Sequence, residues 1–268
     1  MAKPQVVVIP YPAQSHVIAT MELSQRLVQH GIRVTFVNTD FNHKLVTSNW
    51  LDKESFGDPM QMVSIPDGLE PWEDRSDLCK LTLSIMQTMP HKLEELIEKI
   101  NKEEGSKMGI RRAAFWPASV ATLASMFSFQ KLIDDGIINE KGTPLKEQII
   151  QLSETMPSMK SENLSWVCFK DVATIEAIFL LVKEAEEASR LTEWFICNST
   201  TELEAAAFSL FPKLLPIGPL LASNRLADQV GHFWQEDRTC LTWLDQQQPC
   251  SVHLCCIWEL HLFQPNSV

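Results

Sequence analysis

The chain has 268 residues, 45% of them hydrophobic and 21% charged. That is the balance of a globular protein and excludes a disordered, collagenous or coiled-coil chain. With 23 basic against 34 acidic side chains the net charge is −11, which argues against a nucleic-acid backbone or an anionic membrane surface as partner.

Val6 to Ile9 is a continuous β-branched run between Pro4 and Pro10, the pattern of a strand buried on both faces. A first turn, Tyr11-Pro12-Ala13-Gln14, leads into a helical stretch. Its stripe of Val17, Met21, Leu27 and Val28 is interrupted by Ser24, and Gly31 is placed as a C′ cap. Ile32 to Val37 reads as a second strand, so the segment is a βαβ unit, which implies a parallel sheet with right-handed crossovers. Residues 40–90 are punctuated by Pro59, Pro66, Pro71 and Pro90 and read as loose, with a short strand over 62–66. His91 to Glu104 follows as a charged amphipathic helix with Leu93, Leu96, Ile97 and Ile100 facing inward. The rhythm then calls for an apolar strand, but Gly105-Ser106-Lys107-Met108-Gly109 runs directly into Arg111 to Trp116. Val120 to Ile133 reads as helix, 134–165 as a polar loop region, Val172 to Ser189 as a long helix and Trp194 to Cys197 as a strand. Pro212, Pro216, Gly218 and Pro219 open a turn-rich linker that runs to about residue 236. Thr239 to Asp245 reads as a short helix, and the residues after Val252 have no clear period.

The first ten residues hold one lysine and only four consecutive apolar side chains, short of a secretory signal. No apolar run approaches the roughly 18 residues of a membrane span. Seven cysteines are scattered through a chain large enough to fold without staples. The expectation is a cytoplasmic protein with reduced thiols.

His16 falls where the first strand hands over to the first helix. In open parallel sheets ligands bind at that edge, and a histidine there is placed to act as a general base; a surface or capping histidine is the alternative reading. The turn Pro10-Tyr11-Pro12-Ala13-Gln14-Ser15 is not glycine-rich, which disfavours a dinucleotide or nucleoside-triphosphate cradle and with it a nicotinamide-linked oxidoreductase. Cys250, His253, Cys255, Cys256 and His261 match no closed zinc spacing. Trp116, Trp166, Trp194, Trp234 and Trp243 are expected as core anchors rather than a stacking platform. Asp134-Asp135 and Glu184, Glu186 and Glu187 read as solvated charges.

Several segments together resemble one family. Val7-Val8-Ile9-Pro10-Tyr11-Pro12-Ala13-Gln14-Ser15-His16-Val17 resembles the opening of the plant UDP-sugar-dependent glycosyltransferases of family 1, with the two-domain GT-B fold. Cys197-Asn198-Ser199-Thr200-Thr201-Glu202-Leu203-Glu204 is similar to that family's signature near the end of the N-terminal domain. Pro216-Ile217-Gly218-Pro219-Leu220 resembles its interdomain entry, and Cys240 to Val252 the start of its sugar-donor domain. Phe115-Trp116-Pro117-Ala118-Ser119 and Leu132-Ile133-Asp134-Asp135-Gly136 resemble its 83A branch. The resemblance covers residues 1–252. It implies an α/β fold with a Rossmann-like parallel sheet flanked by helices. It also implies a small lipophilic acceptor held by the N-terminal domain and a UDP-sugar held by the C-terminal one, with inverting transfer. His16 would take the proton of the acceptor hydroxyl, because a hydroxyl attacks poorly until a base removes its proton. Ser15 and Ser119 are acceptor-binding candidates by position. Family members hold the histidine with an aspartate, which fixes its tautomer.

Two departures accompany the resemblance. About twenty residues of the family pattern, including that aspartate, are absent between Gly105 and Ser106. No residue here matches the aspartate, the sheet loses a central strand, and that strand's neighbours lose backbone partners. After Val252 the family's strand and Gly-Ser turn are replaced. A one-base shift of a back-translation of 253–268 spells Ile-Tyr-Val-Ala-Phe-Gly-Ser, so this stretch reads as frame-shifted.

The expected organisation is an N-terminal acceptor-binding domain over 1–215, an interdomain linker over 216–238 and a truncated start of the UDP-sugar domain over 239–268. The expected activity is transfer of a sugar, glucose by resemblance, to a hydroxyl of a plant metabolite, with this chain inactive by itself. The alternative is a non-catalytic acceptor-binding remnant or a gene-model artefact of a full-length enzyme. No cofactor and no metal are expected, UDP-sugar being a co-substrate only where the donor domain is present. A small-molecule acceptor is the expected partner, with no nucleic acid and no membrane span.

Overall fold

The computed structural model of the chain describes residues 4–48, 59–103, 111–169, 171–220, 239–248 and 251. Strand β1 (Gln5–Val8) leads through the Pro10–Ala13 turn into helix α1 (Gln14–Gln29) and strand β2 (Arg33–Thr39). Val17 and Met21 of α1 pack on Val34 and Phe36 of β2. Ser24 sits on this buried stripe without penalty because its Oγ donates to the Thr20 carbonyl at 2.7 Å. The helix ends at Gly31, which takes φ +79°. Ile32 N–H donates to Leu27 O at 3.1 Å and Gly31 N–H to Val28 O at 2.9 Å, the paired bonds of a Schellman ending.

Residues 40–48 depart from the loose reading: they form helix α2 (Asp40–Ser48), begun by Thr39 Oγ1 accepting the Asn42 N–H at 3.2 Å. Strand β3 (Met60–Ile65) pairs with β2, which pairs with β1, all parallel. Helix α3 (Leu78–Glu103) starts thirteen residues before the expected His91 and runs through Pro90. Leu81, Ile85 and Met89 from its first half bury against Val37 and Ile65, while Leu93 and Leu96 are only half-buried on the same cluster.

The second half of the chain builds another parallel sheet. Strand β4 (Ala113–Trp116) is followed by α4 (Val120–Phe127) and α5 (Phe129–Asp134), two helices broken at Ser128 where one was expected. Residues 134–165 contain a small antiparallel pair, β5 (Ile149–Ile150) and β6 (Met159–Lys160). They are not a polar loop: Ile138, Ile150, Leu164 and Trp166 are buried against Ile175, Ile178, Phe179 and Val182 of α6 (Val172–Arg190). Strand β7 (Trp194–Cys197), helix α7 (Thr201–Phe208) and strand β8 (Leu214–Pro216) complete this half. The strand order is β4-β7-β8, all parallel. Among the described residues there are thus two three-stranded parallel sheets, with β1 and β4 each at an edge and α3 packed against α6.

Helix α8 (Thr239–Asp245) lies where a short helix was expected and buries none of its side chains. Trp166 is fully buried, but Trp194 and Trp243 are 40% and 54% exposed and do not anchor a core. Trp194 sits at the start of β7 and receives the Arg111 guanidinium 4.1 Å above its ring. Trp234, most of the linker, and the cysteines and histidines from Cys250 onward lie outside the described residues.

Candidate active site

Parallel strands open their C-terminal ends toward a common edge, where the turns into the following helices present side chains and backbone N–H groups. The turn after β1 is held from several sides. Ala13 N–H donates to Tyr11 O at 2.8 Å, and Asn42 Nδ2 of α2 donates to Pro12 O at 3.0 Å. The Tyr11 hydroxyl lies 3.2 Å from Thr82 Oγ1 of α3. Burial pushes the Tyr11 phenol up, so it stays protonated.

This frame fixes His16 in the first turn of α1, half-buried, with its backbone N–H on Ala13 O at 3.0 Å. Its ring centroid is 5.4 Å from that of Tyr11. Ser15 Oγ approaches its Nδ1 at 3.4 Å, a long contact that barely orients the ring. Burial lowers the imidazole pKa, and no charged neighbour contributes. The ring is therefore neutral at neutral pH and able to accept a proton. Among the described residues no carboxylate hydrogen-bonds it.

Ser15 and His16 are brought together; no contact joins either to Ser119. Ser119 lies at the equivalent place in the other sheet, between β4 and α4, where its Oγ accepts the Thr122 N–H at 3.1 Å and caps the helix. Glu204 of α7 completes this cap. Its carboxylate accepts the N–H groups of Val120 at 2.9 Å and Ala121 at 3.0 Å, and receives the Ser199 hydroxyl at 2.5 Å. Burial alone would raise its pKa, but these hydrogen bonds outweigh it and leave the carboxyl below its ordinary range. Three of the amides that a helix start leaves orphaned are satisfied in this way. Asn198 of the same segment accepts the Leu220 N–H at 2.6 Å, and Gly218 packs so closely that a Cβ there would lie 2.4 Å from the Asn198 carbonyl carbon. Sequence spacing points to His16 but gives no sign of these tertiary roles. The one cue was that Asn198, Ser199 and Glu204 recur together within a family signature.

Among the described residues no cluster of three His, Cys, Asp or Glu side chains could hold a metal ion. Among the described residues Cys79, Cys168, Cys197 and Cys240 form no disulfide. No helix among them is long and apolar enough to cross a membrane.

The fold is similar to part of the solved structures of plant UDP-glucosyltransferases. It matches the UDP-glucosyltransferase of Polygonum tinctorium, capable of glucosylating indoxyl, with a TM-score of 0.65 at 19% identity over 92% of this chain and 57% of that one. It matches Medicago truncatula UGT71G1, whose structure is complexed with UDP-glucose, with a TM-score of 0.62 at 18% identity over 92% of this chain and 58% of that one. In sequence the chain is 42% identical to UDP-glycosyltransferase 83A1 of Arabidopsis thaliana over 280 residues, 94% of this chain and 60% of that protein. It is 28% identical to the (R)-mandelonitrile beta-glucosyltransferase of Prunus dulcis over 93% of this chain and 60% of that protein. No family model matches. Over the part it spans, the chain is similar to plant UDP-glycosyltransferases, and that part is about three-fifths of the relatives' length.

Proposed function

We propose that these residues form the acceptor-binding side of a plant UDP-glycosyltransferase. That enzyme transfers a sugar from a UDP-sugar to a hydroxyl of a small lipophilic metabolite, with inversion at the anomeric carbon. His16 is the general base and takes the hydroxyl proton as the oxygen attacks. The observation that carries this reading is the position and state of His16. It stands at the C-terminal end of a parallel strand, in the first turn of a helix, desolvated and without a charged partner. A neutral imidazole in that place is a competent base at neutral pH. The relatives named as glucosyltransferases support glucose as the sugar.

By itself the 268-residue chain binds acceptor and does not transfer sugar. An aspartate that would steady the His16 imidazolium is not found among the described residues, and the open edges of β1 and β4 support a missing strand between them. Ser15 and Ser119 border the acceptor, and no metal takes part, UDP-sugar being a co-substrate. The boundaries are 1–215 for the acceptor domain and 216–238 for the linker, with 239–268 opening the sugar-donor domain. The net charge of −11 speaks against nucleic acid, and thiols outside any disulfide among the described residues support a cytoplasmic location. Product formation from UDP-glucose and a panel of phenols tests transfer, and direct titration of the same phenols tests binding. The expected result is binding that weakens in His16→Ala, with no product from either chain. Glucoside formed by the wild-type chain would refute the inactive reading, and no bound phenol would refute the acceptor site.

A further inference from the structure

The interface between α1 and β2 is apolar until it reaches the C-terminal edge of the sheet. On β2, Val34 and Phe36 share one face with Asn38, because strand side chains alternate. On α1, Val17 and Met21 cover Val34 and Phe36, and Gln14, three residues before Val17, falls on the same stripe. The stripe therefore ends with a glutamine on the helix and an asparagine on the strand. Asn38 is 2% exposed, and among the described residues neither its Nδ2 nor its Oδ1 has a hydrogen-bond partner; Gln14 Oε1 is buried and unpartnered as well. A polar atom buried in that state carries the desolvation cost of the bond it lacks, and native side chains seldom remain so.

The position of Asn38 gives the unmet amide a use. The last pair between β1 and β2 is Val8 with Phe36, whereas β2 and β3 stay paired through Thr39 and Ile65. Asn38 thus lies two residues past the end of β1, on the side where the chain turns toward His16. Asn42 of α2 holds that turn by donating to Pro12 O. A donor and carbonyl acceptors brought to one place match a hydroxyl, which accepts one hydrogen bond and donates another.

We propose that Asn38 is a specificity residue of the acceptor site: its carboxamide takes a second hydroxyl of the acceptor, so that the chain favours diols over simple phenols. The proposal rests on the reading above that the acceptor binds at this edge beside His16. Entry of the diol lifts the turn from Asn38, and the hydroxyl accepts from Nδ2 while donating to a carbonyl oxygen of Asn38 or Gln14. Uncovering these amide atoms breaks no hydrogen bond of their own, since they make none among the described residues.

The test uses the full chain, with 2-naphthol and the 2,3-, 2,6- and 2,7-dihydroxynaphthalenes titrated by fluorescence at about pH 8, where His16 is neutral. Wild type is expected to bind one of the diols about tenfold more tightly than 2-naphthol, the worth of one hydrogen bond. Asn38→Leu, which keeps the branched shape and removes both polar atoms, is expected to lose that advantage and to bind 2-naphthol as wild type does. Its urea midpoint is expected to equal or exceed that of wild type, because a buried unpaired amide is removed and no hydrogen bond is lost. No diol preference in the wild type, or a preference that survives in Asn38→Leu, overturns the role of Asn38 and leaves the acceptor site standing. A lowered urea midpoint, or failure of Asn38→Leu to fold, shows an amide paired within the protein and overturns that role too. Failure of the wild type to bind any of the four compounds overturns the acceptor reading with it.

Discussion

Arg75 and Asp67 form a two-pronged buried ion pair: Arg75 Nε reaches Asp67 Oδ2 and Nη2 reaches Oδ1, both at 3.2 Å, with the side chains 8% and 5% exposed. The same guanidinium donates to the carbonyls of Leu69, Glu70 and Glu73, while Asp67 Oδ1 accepts the Leu69 N–H. The pair therefore folds the segment between β3 and α3 around itself. Removing one partner strands the other charge away from water, which costs about 3–5 kcal/mol. Arg75→Met is expected to lower unfolding stability by that amount in urea denaturation. Arg75→Lys is expected to recover little, because an ammonium cannot span both carboxylate oxygens and three carbonyls.

A second structural clasp lies in residues 134–166. Gly142 takes φ +85°, and a Cβ there would stand 2.4 Å from the Phe179 ring. Its carbonyl accepts the Trp166 indole N–H at 2.8 Å, and the Trp166 and Phe179 rings lie 5.3 Å apart. Gly142→Ala faces a strained backbone and a clash together, so a loss of about 2–4 kcal/mol is expected. Trp166→Phe keeps most of the ring and leaves Gly142 O unpaired, for about 1–3 kcal/mol. Thermal unfolding of the two variants checks the order.

These two clasps also show where sequence reading stops. The βαβ unit, the long α6 and the strand at Trp194–Cys197 are legible because each has one apolar period in a regular backbone. Ile138, Ile150, Leu164 and Trp166 are as buried as any of them, yet they sit in irregular chain and have no period to detect. Helix α2 is only nine residues long, too short for its apolar period to be told from loop, and its start is set by Thr39 Oγ1 accepting the Asn42 N–H. Pro90 suggests a helix boundary, but it lies exposed within α3, where Leu81, Ile85 and Met89 on one side and Leu93 and Leu96 on the other hold the helix on one core. His16 was legible because its place depends only on a strand, a turn and a helix. The Glu204 contacts were not, because they join residues 83 and 84 positions apart.

Desolvation of His16 has a consequence for stability. Its ordinary pKa of 6.5 is lowered in the folded chain, so between the two values the unfolded chain binds more protons and stability falls as pH drops. The loss begins near pH 6.5, grows as the pH falls and levels off below the folded value. His16→Gln removes it. The difference in urea midpoint between His16→Gln and wild type is expected to be more favourable to the variant at about pH 5 than at about pH 8. A difference independent of pH would show that the imidazole is not desolvated.

The two sheet edges make an alternating prediction. In a parallel ladder every second residue points both backbone groups at the same neighbour. Arg33 N–H bonds to Pro4 O, so Val6 and Val8 address β2 while Val7 points away. Asn198 N–H bonds to Trp116 O, so Ala114 and Trp116 address β7 while Phe115 points away. No described residue accepts the N–H of Val7 or Phe115. Hydrogen exchange is therefore expected to be fast at Val7 and Phe115 and slow at Val6, Val8, Ala114 and Trp116. The contrast would not survive pairing of either edge, because a strand added to β1 or β4 would protect the intervening amides as well. A chain carrying an extra parallel strand between β1 and β4 should show the six amides protected alike. Equal protection in the present chain would mean that its edges are already paired, and the two-sheet arrangement would fall.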